Sequence, residues 1–172
     1  MNVPPTERSA DPILRPATEA DVGEVLRLIR GLAQYERMLK EVTATETDIR
    51  NALFGPLPRI HAVLAEVEKT AIGLALYYYT FNTFKACPSI FLEDLFVEPD
   101  YRGSGIGLAL MRHLARLAVA EGCRQVEWRV LTWNQPSIEF YQRLGAEPID
   151  RWHTLMLGGD ALAALAEGTS HG

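Results

Sequence analysis

Glu93-Asp94-Leu95-Phe96-Val97-Glu98-Pro99-Asp100-Tyr101-Arg102-Gly103-Ser104-Gly105-Ile106-Gly107 is the stretch from which the rest of the chain can be read. An apolar run ends at Val97 and Pro99 closes it. Glycines at 103, 105 and 107 then lead into Leu108 to Glu121, where apolar residues recur at helical spacing. That order is strand, glycine-rich turn, helix. Such a junction bares backbone N–H groups at a helix N-terminus, where orphan donors and the positive end of the dipole together hold an anion, usually a phosphate.

Glycine spacing narrows the ligand. A dinucleotide fold wants Gly-x-Gly-x-x-Gly, but the third glycine would fall on Leu108 counting from Gly103, or on Leu110 counting from Gly105. A nucleoside-triphosphate loop ends in Gly-Lys-Ser/Thr, and no lysine follows Lys85. What remains is Arg102-x-x-Gly105-x-Gly107, with Arg102 able to add a charge-assisted fork to a pyrophosphate. Spacing alone leaves open a turn that only joins two elements.

With the strand before it, this motif resembles the coenzyme A signature of the GCN5-related N-acetyltransferases (GNAT), and Asp100 to Gly107 is especially similar to the diamine (spermidine/spermine-type) members. A second segment, Asn134-Gln135-Pro136-Ser137-Ile138-Glu139-Phe140-Tyr141 followed by Gly145-Ala146, also matches at the family's usual distance, and the likeness runs from about Ile13 to Leu157. The resemblance implies an α/β (α+β) fold, a GNAT-like mixed, mostly antiparallel sheet flanked by helices, with a parallel strand pair splayed around the coenzyme. It implies direct transfer of acetyl from acetyl-CoA, as co-substrate, to a primary amine of a small cationic acceptor: a polyamine, a diamine or a lysine-like amine. The alternatives are a protein lysyl or N-terminal acetyltransferase, or a non-catalytic acyl-CoA-binding module. Arg102 and the amides of Gly103, Ser104, Gly105, Ile106 and Gly107 would hold the pyrophosphate. Leu95, Phe96 and Val97 would contact the coenzyme, a bulged strand amide there meeting the oxyanion, and Asn134, Pro136, Ser137 and Tyr141 would complete its site. A homodimer is also implied.

Acyl transfer to an amine moves protons at both ends. An alkyl amine and a thiol have unperturbed pKa values of about 10.4 and 8.5, so a base for the first and an acid for the second both help. The resemblance implies Tyr141 as the acid, its phenol protonated at neutral pH, although its spacing from Ile138 and Leu144 also suits a packed core tyrosine. It implies Glu93 as the base, through a water. Strand alternation places Glu93 and Asp94 on opposite faces, so that one of them faces a given pocket. Tyr35 and Glu36 match a pair lining the amine groove in the diamine enzymes, and Glu127, Trp128 and Asp150 fall near other contact positions, with Glu93 and Asp94 between. Carboxylates and aromatic faces suit a cation. After Gly145 the chain departs from that pattern, Asp150-Arg151-Trp152-His153 replacing a more acidic loop, which keeps lysine-like amines and small diamines open.

Composition sets the frame. A chain of 172 residues, 48% hydrophobic and 23% charged, reads as one globular domain over 13–167 behind a flexible tail at 1–12. A net charge of −5 argues against a nucleic-acid surface and suits a cationic substrate. Cys87 and Cys123 are too few for a disulfide framework and indicate a reducing compartment. The tail has no apolar signal region, and Ala71 to Phe81 is too short to span a bilayer, so no membrane contact and a cytoplasmic location are expected. His61, His113, His153 and His171 show no metal pairing, and no metal is expected.

In chain order, Ile13 to Pro16 reads as an edge strand. Thr18 with Asp21 opens a helix from about Glu19 into the mid-thirties, and Thr45 with Asp48 opens a shorter one stopped by Gly55-Pro56. Ile60 to Val67, Ala71 to Phe81 and Ile90 to Val97 make an antiparallel meander, with a loop over Asn82 to Pro88. Tyr77-Tyr78-Tyr79 alternates faces, one ring for the core and another for the acceptor groove. A helix over Ile106 to Glu121 puts Ile106, Leu110, Leu114, Leu117 and Ala118 on one face, and Gln125 to Leu131 returns parallel to the meander. Asn134 caps a helix ending at Gly145, Ile149 to Leu157 supplies a last strand, and Asp160 to Glu167 a terminal helix.

Overall fold

The computed structural model describes residues 12–151 and 153–168. The chain divides into two compact units, with the boundary between Arg129 and Val130. The tail up to residue 11, Trp152 and His171 lie outside the described residues.

The first unit is a sheet of five strands in sequence order, β1 (Ile13–Pro16), β2 (His61–Val67), β3 (Thr70–Asn82), β4 (Cys87–Val97) and β5 (Val126–Trp128). The first four pair antiparallel, and β4 pairs parallel with β5. The meander is therefore as expected, and β1 lies at the edge that Pro16 tolerates. Glu68 and Lys69 both take positive φ, as a two-residue hairpin turn of this hand demands. The loop expected over Asn82 to Pro88 is shorter, because Asn82 pairs with Cys87 and carries the hairpin outward.

Helix α1 (Val22–Tyr35) covers one face and α3 (Ile106–Ala120) packs against β3 and β4 as well. The Thr18 backbone N–H donates to the Asp21 carboxylate at 2.8 Å, a short 3-10 turn over Glu19–Asp21 preceding α1. Both terminal nitrogens of Arg15 reach the same carboxylate at 2.8 Å while its Nε holds Glu66, tying β1, β2 and the helix entrance together. That pairing holds the Asp21 carboxyl far below the usual carboxylate range. Thr45 caps α2 (Glu46–Phe54), accepting from the Asp48 amide at 3.2 Å. One core cluster joins Val25, Leu26 and Leu28 of α1 to Leu64, Leu74, Leu76 and Phe96 of the sheet.

Two glycines set how closely the helices approach. A Cβ on Gly31 of α1 would lie 2.8 Å from the Phe96 ring, and one on Gly73 of β3 would lie 3.2 Å from Ile106 Cγ2 and 3.3 Å from Leu110 Cδ1. The first turn of α3 therefore rests directly on the sheet. Met111 is also buried on α3, while Leu117 stays half-buried. Gly122, at positive φ, ends α3 as read.

The second unit carries α4 (Gln135–Arg143) and α5 (Gly159–Ala166). The side chain of buried Asn134 accepts from the Ser137 amide at 3.4 Å, the cap read from sequence. The strand expected over Ile149 to Leu157 does not form among the described residues. A strand needs a ladder partner, and none is found for it among the described residues. Leu155 and Met156 are exposed as a result.

Candidate active site

The central event in the first unit is a register shift in β4. Leu76 of β3 faces Asp94, but Tyr77 faces Leu92 and Tyr78 faces Phe91, so Glu93 is an extra residue with no partner across the ladder. Phe91 and Asp94 stand three apart, yet their partners Tyr78 and Leu76 share a face. Alternation is broken at Glu93, which corrects the expectation that Glu93 and Asp94 point to opposite sides. The bulge was expected at Leu95 to Val97; those residues pair regularly with Ala75, Leu74 and Gly73.

On its other edge β4 loses its neighbour at nearly the same place. The parallel ladder runs Ile90 to Val126, Phe91 to Glu127 and Leu92 to Trp128, and stops. The strand expected to reach Leu131 is three residues long. From Glu93 to Val97 the β4 edge away from β3 has no strand partner among the described residues, so backbone donors and acceptors are left for something other than a strand.

Carboxylates gather at this opening. The half-buried Asp94 carboxyl is pushed up to about 6, chiefly because burial disfavours its charge, then because the charges of Glu93 and Glu36 repel it. Glu36, the residue after α1, is itself raised by burial. Glu93 is more exposed and meets Arg129, Nη2 to Oε1 at 3.3 Å. Tyr78 stacks on Phe91 at 5.2 Å, and burial followed by the Glu93 charge raises its phenol. Glu127 accepts from the Gln125 side chain, and Trp128 is half-buried at the ladder's end. Of the seven residues read as substrate contacts, Glu36, Glu93 and Asp94 are brought together. Asp150 lies exposed in the second unit. Arg129 and Phe91 were missed: lone residues of these types in a strand give no pattern, and only register brings them beside Glu93.

The glycine turn lies one step downstream. Gly103 and Gly105 take φ of 77° and 87°, a region that disfavours other residues, and a Cβ on either would meet nothing within 4 Å. Gly105 begins α3 without a side-chain cap, and the first turn of α3 has no acidic residue. The early amides of α3, at Ile106 and Gly107, are thus orphan donors with no anionic competitor, a setting that fits a pyrophosphate. Ser104 is held by its hydroxyl donating to the Tyr101 carbonyl. Arg102 donates through Nε to the Val97 carbonyl at 3.0 Å, with its guanidinium 4.4 Å from the Tyr35 ring centroid and 5.6 Å from that of Phe96. Tyr35, read as a substrate contact, therefore seats Arg102. In the second unit Pro136, Ser137 and Tyr141 lie on α4, Tyr141 half-buried against Phe140 at 5.2 Å. Among the described residues no group of three or more His, Cys, Asp or Glu is arranged to hold a metal, and no helix is long and apolar enough to cross a membrane.

The acetyltransferase (GNAT) family pattern matches residues 28–146 of the chain. Thialysine N-epsilon-acetyltransferase of Bos taurus is 36% identical over 165 residues, covering 90% of this chain and 96% of that protein. L-ornithine N5-acetyltransferase of Arabidopsis thaliana is 27% identical, covering 88% and 86%. Among solved structures, an integron cassette protein from the mobile metagenome of V. cholerae superposes with a TM-score of 0.78 at 26% identity, covering 92% of this chain and 99% of that one.

Proposed function

The chain belongs to the acetyltransferase (GNAT) family and is an N-acetyltransferase, and on that premise we propose that it moves an acetyl group from acetyl-CoA to the primary amine of a small cationic acceptor. The observation that carries the acceptor half is the half-buried Asp94 carboxyl, held near 6 by burial and by Glu93 and Glu36. An acceptor ammonium relieves that crowding of negative charge on arrival, which draws the amine to the bulge. Once ionised, Asp94 takes the proton that the amine must lose. The sequence reading assigned this role to Glu93; Asp94 is the half-buried carboxyl of the two, raised toward neutral pH, while Glu93 is the exposed one paired with Arg129.

Gly103 to Gly107 supply the amides, and Arg102 the charge, for the pyrophosphate; when bound, acetyl-CoA supplies the activated acyl group. The open β4 edge offers backbone N–H groups to the carbonyl oxygen as it gains charge. Tyr141, from its place in the second motif, donates a proton to the departing thiolate. The reading is tested by thiol release from acetyl-CoA with a panel of polyamines, diamines and lysine analogues. Turnover with at least one, and a loss of about 100-fold in kcat for Tyr141→Phe, are expected. No thiol release across the panel sinks the reading.

A further inference from the structure

Beside the carboxylates of the first unit stands a positive charge that ammonium binding does not need. Arg129 directly follows Trp128, the last paired residue of β5, and its guanidinium carbon lies 5.4 Å from the centroid of the Phe91 ring. Phe91 is in turn backed by Tyr78 at 5.2 Å and an interplanar angle of 26°. An aromatic face beneath a guanidinium fixes its plane and leaves the N–H edge turned outward. Among the described residues that edge makes one bond, to Glu93, and a long one. At 3.3 Å it exceeds the usual 2.7–2.9 Å of charge-assisted pairs, and the side chains are 62% and 42% exposed, so water screens the pair and little holds it shut. Arg129 is therefore a supported, accessible fork that a better partner can take.

An acceptor with two ammonium groups would set one of them against that guanidinium. An acceptor with an amine at one end and a carboxylate at the other finds opposite signs at both, Asp94 and Glu36 for the amine and Arg129 for the carboxylate. Resting on the acetyltransferase reading above, the geometry points to Arg129 as a specificity-determining residue that selects α-amino acids carrying a side-chain amine over diamines and polyamines. The two relatives described act, by their names, on thialysine and on L-ornithine, acceptors of that class.

The test uses acceptor pairs that differ only in the α-carboxylate: L-lysine against cadaverine, and L-ornithine against putrescine, with kcat/KM measured by thiol release. The wild type favours the amino acid in each pair. In Arg129→Ala the ratio of amino acid to diamine falls by about 10- to 100-fold, the worth of a charge-assisted bidentate contact, mainly through KM. Arg129→Lys, which keeps the charge and loses the fork, recovers part of that ratio. Thermal melts of each variant separate a folding defect from a loss of selection. A wild type that prefers the diamines, or a ratio unmoved in Arg129→Ala, overturns the inference while leaving acetyl transfer standing. Absence of turnover with every acceptor overturns the acetyltransferase reading instead.

Discussion

The two halves of β4 share one strand and do opposite work. From Cys87 to Leu92 the strand is flanked by β3 and, over its last three residues, by β5, with Ile90 and Leu92 among the most deeply buried residues of the chain. From Glu93 to Val97 it keeps only β3 among the described residues, begins with a bulge, and carries two carboxylates. Paired on both sides, backbone groups are spent on stability. Released on one side, they and the charges beside them become available for chemistry, at a cost in stability that the first half helps to offset.

The largest effect expected from breaking that contrast is in Asp94→Asn. Its kcat should fall about 100-fold or more. The wild-type kcat should rise with pH through about 6 as Asp94 ionises, a limb absent from the variant. Stability moves the other way. A carboxyl whose folded pKa lies above its unfolded value of about 3.9 favours the fold when neutral, and that contribution is lost as pH rises through about 6. Asp94→Asn, which cannot ionise, should therefore gain on the order of 2 kcal/mol relative to wild type above pH 6 and little near pH 4, read from urea melts. An undiminished kcat would hand the base role back to Glu93.

In the first half the signs reverse. Leu92→Ala should cost about 3 kcal/mol in urea melts, since a fully buried leucine is lost, while kcat per folded molecule changes little. A large kcat loss without a stability loss would merge the two halves. The smallest effect belongs to Glu93→Gln. Its exposed pair with Arg129 contributes less than about 1 kcal/mol, but removing its charge relieves Asp94, so the acid limb of the kcat profile should move to lower pH. A limb that stays in place would separate Glu93 electrostatically from Asp94.

Legibility followed range. Thr18 with Asp21, Thr45 with Asp48 and Asn134 with Ser137 announce helix starts because the groups that satisfy one another lie three residues apart. The turn at Gly103 to Gly107 is equally plain, since its φ values are a property of glycine. By contrast, Ile149 to Leu157 has a strand's composition and forms none among the described residues, and β5 stops at Trp128. Pairing depends on a distant partner, and composition says nothing about whether one is there.

Local order thus told which elements form, where the anion turn lies and which carboxylates could matter, because hydrogen bonds between near neighbours and the steric freedom of glycine are written residue by residue. Folding in three dimensions gave Glu93 and Asp94 different burial and different neighbours, seated Arg102 on Tyr35 and set Arg129 over Phe91. A bulge in register, the loss of water and the approach of charges from elsewhere in the chain set a carboxyl's pKa, and none of these exists until the strands have met.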